Sequence, residues 1–392
     1  MNKPRKRLVL LLYKIVYPFL NTIIFRFSGQ QAHDKLIRFL RSLDRNPRAI
    51  SIAQAIRIRV SCGTPTRVGG IILSQSLVLA AGLAKGDGFE DEATAEHAVL
   101  DRKCNIIPGW RTVPALIGPM EFGSFTRFPR MGNDGTVIWR RRSSRSLQNR
   151  VGLKNPGARA AAMFLGMRKA QLPDEYGINI AVSPGVHDLD QQEREVVESL
   201  EFFLDHDVLP SWFTLNLSCP NTNDDPLGHQ LEAETRRLCG AFIKGLKRRS
   251  LSIPLWVKIS PGLAAEQYHA LVRIFADVGV KAIVATNTLP EPSPEDPEQI
   301  AGLGGGGLFD ATLDAVKHLR AEIIRSNAAI DIVACGGILD GESFQAYREL
   351  GVNAAQYWSA LVYRGPLAAA LIESELAAHE FEYEAVHRES LA

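Results

Sequence analysis

Eight short apolar runs alternate with amphipathic helical patterns from Leu77 to the C-terminal part of the chain. The runs are nearly continuous in apolar residues, as in parallel strands that are buried on both faces. Eight strands and eight helices in alternation predict an α/β fold, and they favour a closed (β/α)8 TIM barrel over an open sheet. The predicted strands are Leu77–Ala81, Glu121–Thr126, Gly177–Val182, Phe213–Leu217, Leu255–Ile259, Ala282–Thr286, Asp331–Ala334 and Ala354–Trp358.

Length and composition agree with this prediction and exclude several classes of protein. The 392 residues suffice for one large barrel with an extension, and 46% hydrophobic and 22% charged residues are typical of a folded globular chain. A net charge of +2 argues against a nucleic-acid partner. Five widely spaced cysteines without a CxxC motif predict neither a disulfide framework nor a metal site.

The N-terminal segment differs from the rest of the chain. Basic residues at positions 3, 5, 6 and 7 precede an apolar stretch, Leu8 to Phe27, which Lys14 and Arg26 interrupt. A spanning helix needs about 20 residues with almost no charge, so we interpret the stretch as an amphipathic segment at a membrane surface. A packed core helix and a spanning or signal segment remain alternatives.

A second helical pattern, Gln31 to Leu43, follows and is closed by Asn46-Pro47. The two patterns predict a helical, membrane-associating domain at residues 1–48 and a barrel domain at residues 49–392. Near the start of the second domain, Ala55 to Val60 and Arg67 to Leu73 predict a hairpin around Gly63-Thr64-Pro65. The Pro-, Glu- and Gly-rich stretch from Pro290 to Gly307 predicts a long loop.

Reactive side chains follow several of the predicted strands. The run Asn216 to Thr222 (NLSCPNT) ends a strand in two amides that flank a thiol and a proline, a set that suits a planar heterocycle and proton transfer. Lys85, Lys258 and Asn287 stand at other strand ends. Because the loops after the strands build the active site of a barrel, these groups predict one site, and Gly336-Gly337 after the seventh strand predicts phosphate binding there.

Ten motifs in this order resemble those of the dihydroorotate dehydrogenases, which are FMN-dependent enzymes of pyrimidine biosynthesis. The resemblance covers most of the chain. The motifs are AAGLAKGDG (80–88), EFGSFTR (121–127), GND (132–134), QNRVGLKN (148–155), GINI (177–180), NLSCPNT (216–222), VKISPGL (257–263), IVATNTL (283–289), ACGGI (334–338) and YWSALVYRGP (357–366).

The resemblance implies a role for each matching residue. Cys219 would take the C5 proton of dihydroorotate while the C6 hydride passes to the flavin. The residues that would bind the substrate are Lys85, Asn149, Asn216, Asn221, Asn287 and Thr288. The residues that would bind FMN are Ala81, Gly82, Lys85, Ser124, Asn179, Asn216, Lys258, Thr286, Gly304, Gly305, Gly336, Gly337, Trp358 and Ser359.

The N-terminal segment resembles the membrane-associated, quinone-dependent class of this family, with His33 at the histidine of its quinone tunnel. The resemblance implies a peripheral membrane protein, on the cytoplasmic face of the cell membrane if the source is bacterial, and a monomer or homodimer. The chain departs from that class in five places, one of which is an insertion around Asn105 to Leu116. Cys219 stands where the class carries serine, Ala84 replaces an acidic residue, Val137 aligns with the tunnel arginine, and Ala181-Val182 replaces the lysine after GINI.

These features favour one function and leave two others open. The favoured function is the FMN-dependent oxidation of dihydroorotate to orotate, with electrons passed to a membrane quinone. The alternative is a divergent flavin barrel that oxidises another dihydropyrimidine-like ring or uses a non-quinone acceptor. A non-catalytic, membrane-bound relative is a third possibility, against which Lys85, Cys219 and the asparagines argue.

Overall fold

The computed structural model describes residues 3–61, 63–101, 104–217 and 232–378. In chain order the strands are β1 (Thr66–Val68), β2 (Ile71–Leu73), β3 (Leu77–Leu79), β4 (Met120–Phe125), β5 (Ile138–Arg141), β6 (Ser146–Asn149), β7 (Tyr176–Ala181), β8 (Trp212–Asn216), β9 (Leu255–Ile259), β10 (Ala282–Ala285), β11 (Leu289–Pro292), β12 (Ile300–Gly305), β13 (Asp331–Ala334) and β14 (Ala354–Tyr357). The helices are α1 (Lys3–Ile24), α2 (Gly29–Leu43), α3 (Pro47–Val60), α4 (Glu92–Leu100), α5 (Thr112–Ile117), α6 (Ala158–Gly166), α7 (Leu189–Asp205), α8 (Glu232–Arg248), α9 (Ala265–Val278), α10 (Phe309–Ser326), α11 (Gly341–Glu349), α12 (Ser359–Arg364) and α13 (368–378).

Eight parallel strands close into a barrel, which confirms the predicted fold. Their order around the barrel is β3-β4-β7-β8-β9-β10-β13-β14, and β14 pairs with β3 to complete the circle. The eight barrel strands are those predicted from the sequence: two have the predicted boundaries, and the boundaries of the other six differ by one or two residues. The helices surround the barrel and bury their apolar faces against it.

The lower part of the barrel interior is apolar. The indole rings of Trp212 and Trp256 stack with their centroids 4.6 Å apart, and Val78, Val284 and Val333 pack in the same cluster. The β1–β2 hairpin closes this end of the barrel, where Trp256 Nε1 donates a hydrogen bond of 3.0 Å to the Gly69 carbonyl. The open end of the barrel therefore lies at the carboxyl ends of the strands.

Two sequence predictions outside the barrel are wrong. Residues 55–60 belong to α3, because Asn46 caps this helix through its side chain and Pro47 occupies its first turn. The hairpin forms instead between β1 and β2 around Gly69-Gly70. The predicted loop from Pro290 to Gly307 contains β11 and β12, which join β6 and β5 in a four-stranded antiparallel sheet.

The N-terminal helices pack against the barrel near the open end. Tyr13 Oη donates 3.0 Å to the Arg364 carbonyl and Asn21 Nδ2 donates 3.2 Å to the Tyr363 carbonyl, so α1 caps the C-terminal end of α12. Among the described residues, no single helix is long and apolar enough to cross a membrane, whereas the pair Leu8–Ile24 and Gly29–Leu43 passes that test together with a bend of 112°. α3 runs through residue 48, and the domain boundary there stays a prediction.

A buried carboxylate joins α2 to the barrel. Asp44 is only 5% exposed, and it accepts hydrogen bonds from the Gly109 N–H at 2.6 Å and the Thr112 N–H at 2.9 Å. The Thr112 hydroxyl at 2.7 Å and Asn105 Nδ2 at 2.8 Å add two more donors. Since all of these groups donate, the site requires a side chain that only accepts.

We predict that Asp44→Asn destabilises the protein. The new amide nitrogen would face donors, and each buried donor left unpaired costs about 1–3 kcal/mol. The free energy of unfolding should fall by about that amount, with a lower Tm in thermal unfolding followed by circular dichroism. Asp277→Asn is the matched control, because Asp277 lies in an exposed ion pair with Arg236 and its loss should cost under about 1 kcal/mol. An equal Tm for the two variants would contradict the buried role of Asp44.

Candidate active site

One cavity at the carboxyl ends of the barrel strands brings most of the predicted site residues together. Asn179 lies below it in the barrel interior, and Cys219 and Asn221 lie outside the described residues. The predicted residues that line the cavity are His33, Ala81, Gly82, Lys85, Ser124, Asn149, Asn216, Lys258, Thr286, Asn287, Thr288, Gly304, Gly305, Gly336, Gly337, Trp358 and Ser359.

Amide and hydroxyl groups form a connected row on one side of the cavity. Asn216 ends β8, and its Nδ2 lies 3.4 Å from Ser124 Oγ while its Oδ1 lies 3.4 Å from Asn287 Nδ2. Asn287 Oδ1 accepts from the Thr288 N–H at 2.8 Å, which orients the Asn287 amide. The row presents donors and acceptors on a wall that a flat ring with carbonyl and N–H groups would fit.

Two lysines supply positive charge. Lys85 follows β3 and lines the cavity, and Lys258 in β9 is buried, with its Nζ 3.4 Å from Cys335 Sγ. Burial raises the pKa of the Cys335 thiol, and the Lys258 charge opposes this shift. The ammonium groups of Lys85 and Lys258 thus offer positive charge to a ligand that is or becomes anionic.

The glycine segments bring the backbone close to the cavity. A Cβ on Gly305, which has φ +86°, would lie 2.9 Å from Ser359 Oγ, and a Cβ on Gly336 would lie 2.0 Å from Thr312 Oγ1. Only glycine fits at both positions. Ser359 begins α12, so a hydroxyl and close backbone segments meet at this side of the cavity, as they do in phosphate sites.

A polar layer lies between the apolar lower barrel and the cavity. Glu121 in β4 is fully buried, and its carboxylate accepts from Trp212 Nε1 at 2.9 Å, from Asn179 Nδ2 at 3.0 Å and from Thr214 Oγ1. Buried polar atoms without a protein partner remain nearby: Asn179 Oδ1, both amide atoms of Gln356, and Thr288 Oγ1. Such atoms normally have a partner, so the described part of the site is built to receive a polar group.

Sequence reasoning missed several of these residues. Glu121, Cys335 and Gln356 lie within the motifs or the predicted strands, but the sequence predicts no role for them. The signal was present, because side chains alternate along a strand and place Glu121 on the same face as Gly123 and Gln356 on the same face as Trp358. A charged or amide side chain at an inward position of a buried strand needs an explanation.

The remaining wall of the cavity is apolar and faces α2. Ile138, Leu147, Val151 and Leu153 from the β5–β6 hairpin and its following segment line it together with His33. Arg140 points away, since it donates to the Phe27 carbonyl and lies 4.2 Å from the Phe25 ring. The wall suits an apolar ligand, and the His33 imidazole is the polar group that this wall offers to the ligand.

The surroundings of His33 disfavour its charged form. Burial, with the nearby positive charge of Lys85, lowers the pKa of His33 to about 4. The imidazole is therefore neutral at pH 7. In the unfolded chain its pKa is near 6.5, so between pH 6.5 and 4 the unfolded state binds more protons than the folded state.

We predict that this difference destabilises the protein in acid. The contribution of His33 to stability is complete above pH 6.5 and is lost as the pH falls toward 4. The Tm of His33→Gln should therefore fall less than the Tm of the wild type when the pH is lowered from 7 to 4.5. The exposed His187→Gln is the control and should follow the wild type. Parallel Tm profiles for the wild type and His33→Gln would refute the neutral, half-buried imidazole.

Comparisons with known proteins agree with the geometry. The family model described as dihydroorotate dehydrogenase matches residues 111–379. The dihydroorotate dehydrogenase (quinone) of Leifsonia xyli subsp. xyli is 32% identical over 266 residues, which are 67% of this chain and 75% of that protein. The protein of the same name from Chromobacterium violaceum is 27% identical over 367 residues, which are 90% of this chain and 95% of that protein.

A solved structure shows the same fold. The dihydroorotate dehydrogenase of Eimeria tenella, in complex with ferulenol, superposes with a TM-score of 0.68 at 18% identity. The match covers 90% of this chain and 93% of that protein.

Proposed function

The chain belongs to the dihydroorotate dehydrogenase family, and from this premise we propose that it oxidises dihydroorotate to orotate in pyrimidine biosynthesis and passes the electrons to a membrane quinone. The observation that carries this proposal is the cavity itself. It joins an amide row, two lysines and a glycine-lined side to an apolar wall that faces the N-terminal helices.

The amide row and Lys85 would bind the substrate. Dihydroorotate carries a carboxylate and a ring of alternating carbonyl and N–H groups. Asn149, Asn216 and Asn287 offer both donors and acceptors to such a ring, and the Lys85 ammonium suits the carboxylate. Each amide discriminates against ligands without this pattern, because a buried group left unpaired costs about 1–3 kcal/mol.

Oxidation removes one proton and one hydride from the substrate. We assign Cys219 as the base that takes the C5 proton, since it stands between Asn216 and Asn221 in the sequence. The thiolate is the form that accepts a proton, so the rate should rise with pH toward the pKa of a free thiol, about 8.5.

FMN is the cofactor that we propose for this site. When bound, FMN accepts the hydride and later gives the electrons to the acceptor. Lys258 would place positive charge beside the ring, and Gly305, Gly336 and Ser359 would hold the phosphate. The unpaired buried Asn179 Oδ1, the Gln356 amide and the Thr288 hydroxyl are consistent with a polar group that completes the site.

The apolar wall and the N-terminal helices would serve the quinone. Exposed apolar side chains are frequent on α1, α2 and α3, and they include Phe19 (72% exposed), Phe39 (59%) and Ile58 (70%). Clusters of exposed apolar side chains commonly mark interaction or membrane-binding surfaces. Peripheral membrane binding by this surface would bring a membrane-dissolved quinone to the wall beside His33.

The proposed reaction can be tested with the purified protein. Anaerobic dihydroorotate should bleach the visible absorption of the bound flavin. A yellow protein that dihydroorotate does not bleach would favour the alternative, a flavin barrel for another dihydropyrimidine-like ring.

We predict that Cys219→Ala slows flavin reduction by roughly 10² to 10⁴, the usual contribution of a positioned base. FMN should remain bound, since no FMN role is assigned to the thiol. The measurement is stopped-flow absorbance under anaerobic conditions. Cys239→Ala is the control, because Cys239 is buried in α8. Equal reduction rates for the two variants would exclude Cys219 as the base.

We predict that Leu12→Glu/Phe19→Glu releases the protein from anionic vesicles. Both side chains are exposed on α1, and carboxylates oppose insertion into a lipid surface. The bound fraction in vesicle sedimentation and the rate of reoxidation by a long-chain quinone should fall at least about ten-fold, equivalent to about 1.4 kcal/mol. Reduction by dihydroorotate should be unchanged.

Ile324→Glu is the matched control for this surface. Ile324 is 66% exposed but lies at the end of α10, away from the N-terminal helices. If it reduces vesicle binding as much as the α1 variant does, the membrane surface is not the one proposed.

A further inference from the structure

Glu121 is a fully buried carboxylate to which the proposed function assigns no role. It lies in the barrel interior, where its Oε2 accepts from Asn179 Nδ2 at 3.0 Å and its Oε1 accepts from Trp212 Nε1 at 2.9 Å and from Thr214 Oγ1. A buried carboxylate is costly unless it is hydrogen-bonded. The three donors come from β7 and β8, the strands that follow β4 around the barrel.

The carboxylate decides which way the Asn179 amide points. A carboxylate only accepts hydrogen bonds, so the amide must turn its nitrogen toward Glu121. Asn179 Oδ1 is thereby directed away from Glu121, and it is buried with no hydrogen-bond partner. A buried acceptor without a partner requires a donor that the described protein residues do not supply.

We infer that Glu121 is a positioning residue for the cofactor: it holds the Asn179 amide so that Oδ1 is presented to an N–H of the bound flavin. The inference rests on the proposed function, because the bound group that it invokes is the FMN of that proposal. The pyrimidine-like edge of a flavin carries one N–H between two carbonyl groups. An oxygen at Asn179 pairs with that N–H, whereas a nitrogen would repel it.

A single isosteric change tests this orientation. In Glu121→Gln, the new side-chain oxygen can still accept from Trp212 and Thr214, so its NH₂ group must face Asn179. The Asn179 amide must then flip to accept from that NH₂ group, and it would turn its own nitrogen toward the flavin. We expect the Kd of FMN to rise about ten-fold, which corresponds to about 1.4 kcal/mol.

A second change should restore binding. In Glu121→Gln/Asn179→Asp, one oxygen of the new carboxylate accepts from the glutamine and the other faces the flavin. The net charge of the pair is that of the wild type. We expect an FMN Kd within about three-fold of the wild-type value, and a visible flavin absorption band that shifts in the single variant and returns in the double variant.

The assay is the titration of apoprotein with FMN, followed by flavin fluorescence, with the Tm of each apoprotein as a folding check. Thr214→Val is the matched control, because it removes one hydrogen bond to Glu121 without changing the group that faces Asn179. Its FMN Kd should stay within about two-fold of the wild type.

The outcomes separate the inference from the proposed function. Wild-type apoprotein that does not bind FMN would overturn the proposed cofactor. Wild-type binding with an unchanged Kd in Glu121→Gln, or a weakened Kd that the double variant does not restore, would overturn the positioning role. If Glu121→Gln does not fold, the double variant decides alone: near-wild-type binding supports the inference, and a ten-fold loss refutes it.

Discussion

The closed ladder of hydrogen bonds between the eight parallel strands is the constraint on which the site depends. Because β14 pairs with β3, no strand edge is left open in the barrel. Closure divides the side chains of each strand between the interior and the surrounding helices. The lower interior is filled by the stacked pair Trp212 and Trp256, so the open space is confined to the carboxyl ends.

The polar layer lies between the apolar lower barrel and the cavity in which the proposed reaction would take place. Glu121 and Lys258 project into one barrel interior, and their charges both act on the Cys335 thiol. Charges at such depth persist only when hydrogen bonds compensate for lost hydration. Glu121 is compensated by donors from β7 and β8, and this arrangement leaves amide atoms of Asn179 and Gln356 available for a bound group. The hydrogen bonds of the polar layer thus compensate for the burial of Glu121, and the layer also forms the floor of the cavity.

The N-terminal helices are part of the same construction. Asp44 fastens α2 to the segment around Thr112, and α1 binds the end of α12, the helix that begins at Ser359. Lys14 reaches Glu375 at 2.7 Å, and Arg364 reaches the same carboxylate at 2.6 Å. The exposed apolar faces of the N-terminal helices and the cavity therefore belong to one packed body. If the exposed apolar faces bind a membrane, the apolar wall of the cavity would lie beside that membrane.

The sequence by itself determined the barrel, because continuous apolar runs and helical periodicity report local burial. It also indicated which strand ends carry lysine and amide groups. Only the tertiary structure showed that β11 and β12, despite their proline and glycine, pair with β6, and that Asn46-Pro47 begins a helix instead of only ending one. Only the tertiary structure showed that Glu121 and Asn179, which are 58 positions apart in the sequence, form a hydrogen bond. Strand pairing and buried hydrogen bonds are contacts between residues that are distant in the sequence. Local sequence patterns do not indicate which of these residues pair with each other.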